Sequence, residues 1–106
     1  GIIATGTPGA GERFIQPRVG DRLLDDVTGD GWRLFTRQPV VGGDVTVVDV
    51  ADLGDDGHVA DWLDARGAEA VLVRPDHYVF GTGAPAELIA RRDALIAGTA
   101  RQEIAA

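Results

Sequence analysis

Residues 70–81 read AVLVRPDHYVFG, and this stretch decides the fold. Ala70 to Val73 form a compact apolar run, Pro75-Asp76 is a turn pair, and Tyr78-Val79-Phe80 is a second short run of aromatic and β-branched residues. Two such runs around a turn pair predict a β-hairpin. Pro75 presets φ for the first central position of a type I turn, and Asp76 suits the second. His77 then falls where a three-residue hairpin loop needs a left-handed residue. Glycine is the usual occupant there, but His is among the residues enriched at positive φ, so that backbone state is predicted for His77. A helix ending at Gly67 and another beginning at Pro85 flank the hairpin, and both are expected to pack on the sheet it anchors.

Upstream of the hairpin, Asp55 or Asp56 caps a helix whose inward stripe is Val59, Trp62 and Leu63, with Gly67 as its left-handed stop. Downstream, Pro85 and Glu87 suit the first turn of a long helix. Its buried stripe is predicted as Leu88, Ile89, Leu95 and Ile96, its end as Gly98, and residues 99–106 as a polar tail. Residues 32–36 (WRLFT) read as a strand. Residues 45–50 (VTVVDV) read as another, apolar on both faces and so expected to be covered on each side. The loop between them, RQPVVGGD at 37–44, is shorter than the dozen residues a parallel crossover normally takes. Either the two strands pair differently or residues are absent from the sequence between them.

Residues 23–27 suit one short helical turn stopped near Gly29. Residues 1–20, rich in Gly and Pro, read as an extended arm or linker. Its only apolar pairs are Ile2-Ile3 and Phe14-Ile15, and the arm is expected to be held only where Phe14 and Ile15 dock. Residues 21–98 then make the folded domain. No internal repeat occurs.

A chain of 106 residues is one domain that buries roughly 60–70% of its unfolded surface, so it needs neither disulfide nor metal to fold. It holds no Cys, Lys, Ser, Asn or Met. Disulfide frameworks, zinc–thiolate sites and CxxC redox chemistry are thereby excluded. The commonest covalent nucleophiles are missing too, which leaves Asp, Glu, Thr, Tyr and two His. All ten basic residues are Arg, a usage expected of a GC-rich bacterial genome. A net charge of −7 argues against nucleic acid, whose phosphates demand a basic face. No apolar run reaches the roughly 18 residues of a membrane span, and no signal-peptide pattern is present. The absence of Met even at position 1 is expected of a fragment or a processed form.

Gly81 to Ala86 (GTGAPA) follows a strand, opens a helix and formally matches a GxGxxA dinucleotide fingerprint. Against it, no second strand follows to bring an acidic residue to a ribose, so a plain Gly-rich turn is the better reading. Residues 52–57 (DLGDDG) resemble the start of a calcium loop, but counting from Asp52 the third position is Gly54 and the twelfth is Leu63, where a bidentate Glu is needed. His58 and His77 lack the spacing of paired ligands on one helix face. Asp25 and Asp26 are adjacent and therefore diverge rather than forming an acid/base pair. Trp32, Phe35, Trp62 and Phe80 are read as core. No catalytic, cofactor-binding or metal-binding residue is assigned.

Residues 11–35 (GERFIQPRVGDRLLDDVTGDGWRLF) and 67–81 (GAEAVLVRPDHYVFG) resemble the C-terminal domain of FAD-dependent aromatic-ring hydroxylases of the phenol hydroxylase class. Within that class they are most similar to the 3-(3-hydroxyphenyl)propionate (3-hydroxycinnamate) hydroxylases. The resemblance implies a thioredoxin-like α/β fold without the CxxC pair: a mixed sheet with a C-terminal hairpin and flanking helices. It is expected in abridged form, because no helix-length segment follows residues 32–36 and no Pro immediately precedes Ala70. The resemblance also implies a cytoplasmic parent enzyme that binds FAD, takes hydride from NADH or NADPH and inserts one oxygen atom of O2 ortho to a phenolic hydroxyl. The flavin and substrate domains would lie upstream and be this domain's partner. This fragment would bind no cofactor and serve stability or subunit contact, including contact in a homo-oligomer. A free-standing, redox-inactive thioredoxin-like interaction module is the alternative, and a small enzyme using Asp or His is a third class.

Overall fold

The computed structural model describes residues 3–4, 6–29, 31–38, 40 and 44–105, with side chains described to residue 97. For clarity the strands are β1 (Arg18–Val19), β2 (Arg22–Leu23), β3 (Arg33–Thr36), β4 (Thr46–Asp49), β5 (Ala70–Val73) and β6 (Val79–Gly83). The helices are α1 (Leu24–Thr28), α2 (His58–Arg66) and α3 (Pro85–Ala105).

The β5–β6 hairpin has the loop that its sequence predicts. The His77 N–H donates to the Arg74 carbonyl at 2.9 Å, closing a type I turn over Pro75 and Asp76, and His77 takes φ +70°. The Arg74 N–H donates to the Tyr78 carbonyl at 2.8 Å, and the register slips between Leu72 and Val73 in a bulge. All four residues of β5 are fully buried, because the pleat sends Ala70 and Leu72 to one face of the sheet and Val71 and Val73 to the other, and both faces are covered.

The main sheet runs β4-β3-β5-β6. β3 is antiparallel to β5, with Phe35 opposite Val71, and parallel to β4, with Leu34 opposite Val47. This is the abridged thioredoxin-like sheet, with no cysteine and with only residues 37–45 between its two parallel strands. The expectation that 37–44 is too short for a parallel connection is corrected. A four-residue strand rises only ~13 Å, and the connection over residues 37–45 can reach about 30 Å when extended. Pro39 and residues 41–43 of that loop lie outside the described residues.

Residues 45–50 are covered on each face, as expected, with Val45 and Val47 against one core cluster and Val48 and Val50 against the other, but only in part: β4 is an outer strand of the sheet, Thr46 and Asp49 are exposed, and Val47 and Val48 are half-buried.

On one face Val59, Trp62 and Leu63 of α2 pack on Phe14, Phe35, Val71 and Val79, as their spacing predicts. Phe14 sits between Phe35 and Trp62 with ring centroids 5.2 Å from each, contacts that contribute about 1 kcal/mol apiece beyond area burial. Gly67 ends α2 at φ +63°, and the Ala68 N–H returns to the Leu63 carbonyl at 3.1 Å.

On the other face Leu88 of α3 is buried among Ala4, Leu34, Leu72 and Phe80, with Ile89 beside them. The predicted stripe fails beyond that point: Leu95 and Ile96 are 39% and 43% exposed, while Arg92 is buried. The physical reason is length, since α3 has 21 residues, about 31 Å of helix, and overruns a sheet whose strands span about half of that. Gly98 does not stop it, because one interior glycine costs only about 1 kcal/mol among the Ala, Gln and Glu residues that carry the helix to Ala105. The predicted polar tail at 99–106 is thus helical up to Ala105.

α1 stops at Gly29, φ +86°, where the sequence placed its end. It is preceded by a two-stranded β1–β2 ribbon turned at Gly20, φ +66°, which nothing in the composition announced.

The N-terminal arm is held well beyond Phe14 and Ile15. Val79 N–H donates to Glu12 O at 2.7 Å, Gly11 N–H to Val79 O at 2.9 Å and Ala4 N–H to Phe80 O at 2.7 Å, so the arm runs along the outer edge of β6. Ile2, the other half of the expected Ile2-Ile3 anchor, lies outside the described residues.

Candidate functional site

The polar residues that converge most closely do so at the hairpin end of the sheet. Arg33 begins β3 directly opposite Val73, which brings it beside the 74–78 loop. Asp25 stands in the first turn of α1, where its charge complements the helix dipole. Gln16 on the arm brackets it, its Nε2 donating to Asp25 Oδ1 at 2.8 Å and its Oε1 accepting from the Asp25 N–H at 3.2 Å.

Arg33 has no exposed side-chain surface, and its donors are spent on fixed partners. Nε reaches Gly31 O at 3.0 Å, Nη1 reaches Asp25 Oδ1 at 2.7 Å and Nη2 reaches Arg74 O at 3.0 Å. The His77 Nδ1 lies 3.0 Å from Asp25 Oδ2 and 3.0 Å from Arg33 Nη2. One nitrogen cannot donate to the carboxylate and accept from the guanidinium together, so at any instant His77 serves one of them. The cluster ties α1, β3, the arm and the hairpin tip into one corner. Chemically it could hold an oriented imidazole, but no hydroxyl or thiol nucleophile is part of it.

The sequence singled out Asp25 and His77 separately and did not connect them. It gave no role to Gln16 or Arg33. Arg33 carried one signal, an arginine inside the apolar run WRLF. Asp26 points away and is exposed, as adjacent residues should.

A cleft of about 650 Å³ lies at the C-terminal ends of the parallel β3–β4 pair, where open α/β sheets commonly bind ligands. Arg37, Val50, Asp55 and Gly57 are among its walls. The N-terminus of α2 faces it but is already capped from within. Asp55, not Asp56, supplies the cap, accepting from Gly57 N at 3.1 Å and Val59 N at 2.8 Å. Arg37 is engaged by Ala60 O and Asp64. Asp52, the start of the calcium-like stretch, is exposed, and among the described residues no three His, Asp or Glu side chains gather as a metal site. His58 lies on the rim of a second groove with Ile15, Pro17 and Trp62, apart from the His77 cluster.

The GTGAPA turn does not fit a dinucleotide. A Cβ at Gly81 would meet Ala4 Cβ at 2.6 Å and Thr7 Oγ1 at 2.8 Å, so the room that this glycine opens is filled by the chain's own arm. Phe35, Trp62 and Phe80 are core residues, and Trp32 is half-buried with its ring 5.6 Å from that of Phe80.

Fold and corner together define a thioredoxin-like domain that lacks the redox pair and whose best-connected polar groups brace the structure. The chain belongs to the HcaD C-terminal domain family, which matches residues 36–98, more than half of its length. It is thereby a C-terminal domain of an oxidoreductase-like protein of the aromatic-hydroxylase type. No curated protein and no solved structure matches the chain. Among the described residues no helix is long and apolar enough to cross a membrane.

Proposed function

We propose that this chain is the noncatalytic C-terminal domain of a cytoplasmic FAD-dependent monooxygenase that hydroxylates a phenolic acid, such as 3-(3-hydroxyphenyl)propionate, ortho to its hydroxyl. When bound in the parent enzyme, FAD supplies the hydride acceptor for NADH or NADPH and the centre that activates O2. Its place in this reading is the upstream part of the polypeptide, and the role of the domain is to stabilise that part or to contact a second subunit.

The observation that carries the reading is the family match over residues 36–98, which agrees with the resemblance of residues 11–35 and 67–81 to the hydroxylase class. The commitment of Arg33, Asp25, Gln16 and Asp55 to internal contacts supports a bracing rather than a reacting role.

The test is the intact mass and visible spectrum of the protein as its source organism makes it. A yellow polypeptide several times longer than this chain, oxidising NADH or NADPH when 3-(3-hydroxyphenyl)propionate is added, is the expected result. A colourless polypeptide of about this size would overturn the reading, as would micromolar FAD binding by the isolated chain.

A further inference from the structure

The two outer edges of the main sheet are treated differently. The edge of β6 is sealed by the arm through Ala4, Gly11 and Glu12. Among the described residues the edge of β4 is not. Thr46 turns its N–H onto Trp32 O at 2.9 Å, so by the alternation of a strand Thr46 and Val48 face β3, while Val47 turns its N–H and C=O outward and Asp49 its N–H, the Asp49 C=O being taken up by the 3-10 turn over Val50–Asp52. Among the described residues nothing pairs with those outward groups. β4 carries no Pro, no Lys and no bulge; its four-residue length and the charge of Asp49 are what guard this edge.

Beside this edge lies a groove of about 400 Å³, lined by Val27 and Thr28 of α1, by β4, and by Asp52 and Leu53. Val27 is 44% exposed there, and Leu23, one turn earlier, is equally open. The groove thus offers apolar footing next to unpaired backbone. Its charged lining is Asp49 and Asp52, with no Arg or His among the lining residues. A second copy of the chain would bring the same two carboxylates and a further net charge of −7, which opposes self-pairing.

We propose that the β4 edge and the groove beside α1 bind an extended, basic peptide segment as a fifth strand of the sheet. Backbone pairing with Val47 and Asp49 supplies affinity. β-branched side chains over Val27 and Arg or Lys side chains against Asp49 and Asp52 supply selectivity. The inference stands whichever oxidoreductase carries the domain, and its test does not involve flavin or turnover.

The probe is a fluorescein-labelled peptide of alternating arginine and valine, titrated into the 106-residue chain by anisotropy. Amide hydrogen exchange is followed with and without it. The expected result is saturable binding that weakens with salt, with new protection at the Val47 and Asp49 amides.

Val47→Pro removes an outward N–H that takes no part in the β3 ladder, so the fold tolerates it, as edge strands tolerate proline, and binding falls by about tenfold or more. Asp49→Asn/Asp52→Asn removes only charge, since Asn keeps the oxygen that accepts from Ala51 N, and it weakens binding and flattens the salt dependence. A glutamate-for-arginine version of the peptide is expected not to bind. The proposal is overturned by absent binding, by binding undiminished in both variants, or by protection that appears elsewhere. It also fails if the unliganded chain sediments as a dimer with the Val47 and Asp49 amides already protected, which would make a second copy the occupant.

Discussion

Arg33 and Asp25 form a lopsided ion pair: Nη1 donates to Oδ1 at 2.7 Å, and the arginine side chain is fully buried while the aspartate keeps 24% of its surface open. Loss of the carboxylate strands a buried guanidinium; loss of the guanidinium leaves a carboxylate that can reach water. Asp25→Ala is therefore expected to cost about 3 kcal/mol, and Arg33→Met distinctly less. The double variant Asp25→Leu/Arg33→Met is expected to lie nearer wild type than Asp25→Ala does. Urea unfolding midpoints check that order, and equal losses for the two single variants would refute it.

That corner also marks where the sequence stops being readable. The hairpin loop and α2 were legible because their signals are local: Pro75-Asp76 sets the turn, and Val59, Trp62, Leu63 and Gly67 fall at helical spacing. Arg33 and His77 are 44 residues apart, and nothing at either position encodes their meeting. The parallel β3–β4 pairing was missed because the usual crossover length assumes longer strands than these. On α3 the periodicity of Leu95 and Ile96 is real, but burial depends on where the sheet ends, which the helix's own sequence does not record.

His77 occupies the left-handed region at φ +70°, a state that a β-branched side chain resists. Both His77→Asn and His77→Val lose the ring beside Asp25, so the difference between them isolates the backbone. His77→Val is expected to be less stable than His77→Asn by about 1–2 kcal/mol, read as a lower thermal midpoint. Equal midpoints would mean that the loop relaxes at no cost.

Gly81 is the point where arm and sheet come closest. The added methyl of Gly81→Ala must displace Ala4 or Thr7, since its Cβ would stand 2.6 and 2.8 Å from them. Overpacking of this kind costs about 1–3 kcal/mol, and the arm yields before the central strands do. Limited proteolysis is expected to cut the variant within its first dozen or so residues while the fragment from β3 to α3 persists. Unchanged protection of the arm would show that the sheet gives way instead.

Asp76, at the hairpin tip, contributes to the pH dependence of stability. Burial pushes its carboxyl up, but the Tyr78 N–H on Oδ1 at 3.2 Å and the Arg74 guanidinium on Oδ2 outweigh it, so the group titrates below its ordinary 3.8. A depressed folded value means that, between the two values, the unfolded chain binds the proton and the folded chain does not. The stabilisation is then complete above the ordinary carboxylate range and disappears as the pH falls through the folded value. The side chain is 47% exposed, so its worth is under about 1 kcal/mol. Asp76→Asn keeps the acceptor for Tyr78 and removes only the charge. Its thermal midpoint is expected below wild type at neutral pH, with the two curves converging in acid; a gap that stays constant into acid would rule out the charge as its source.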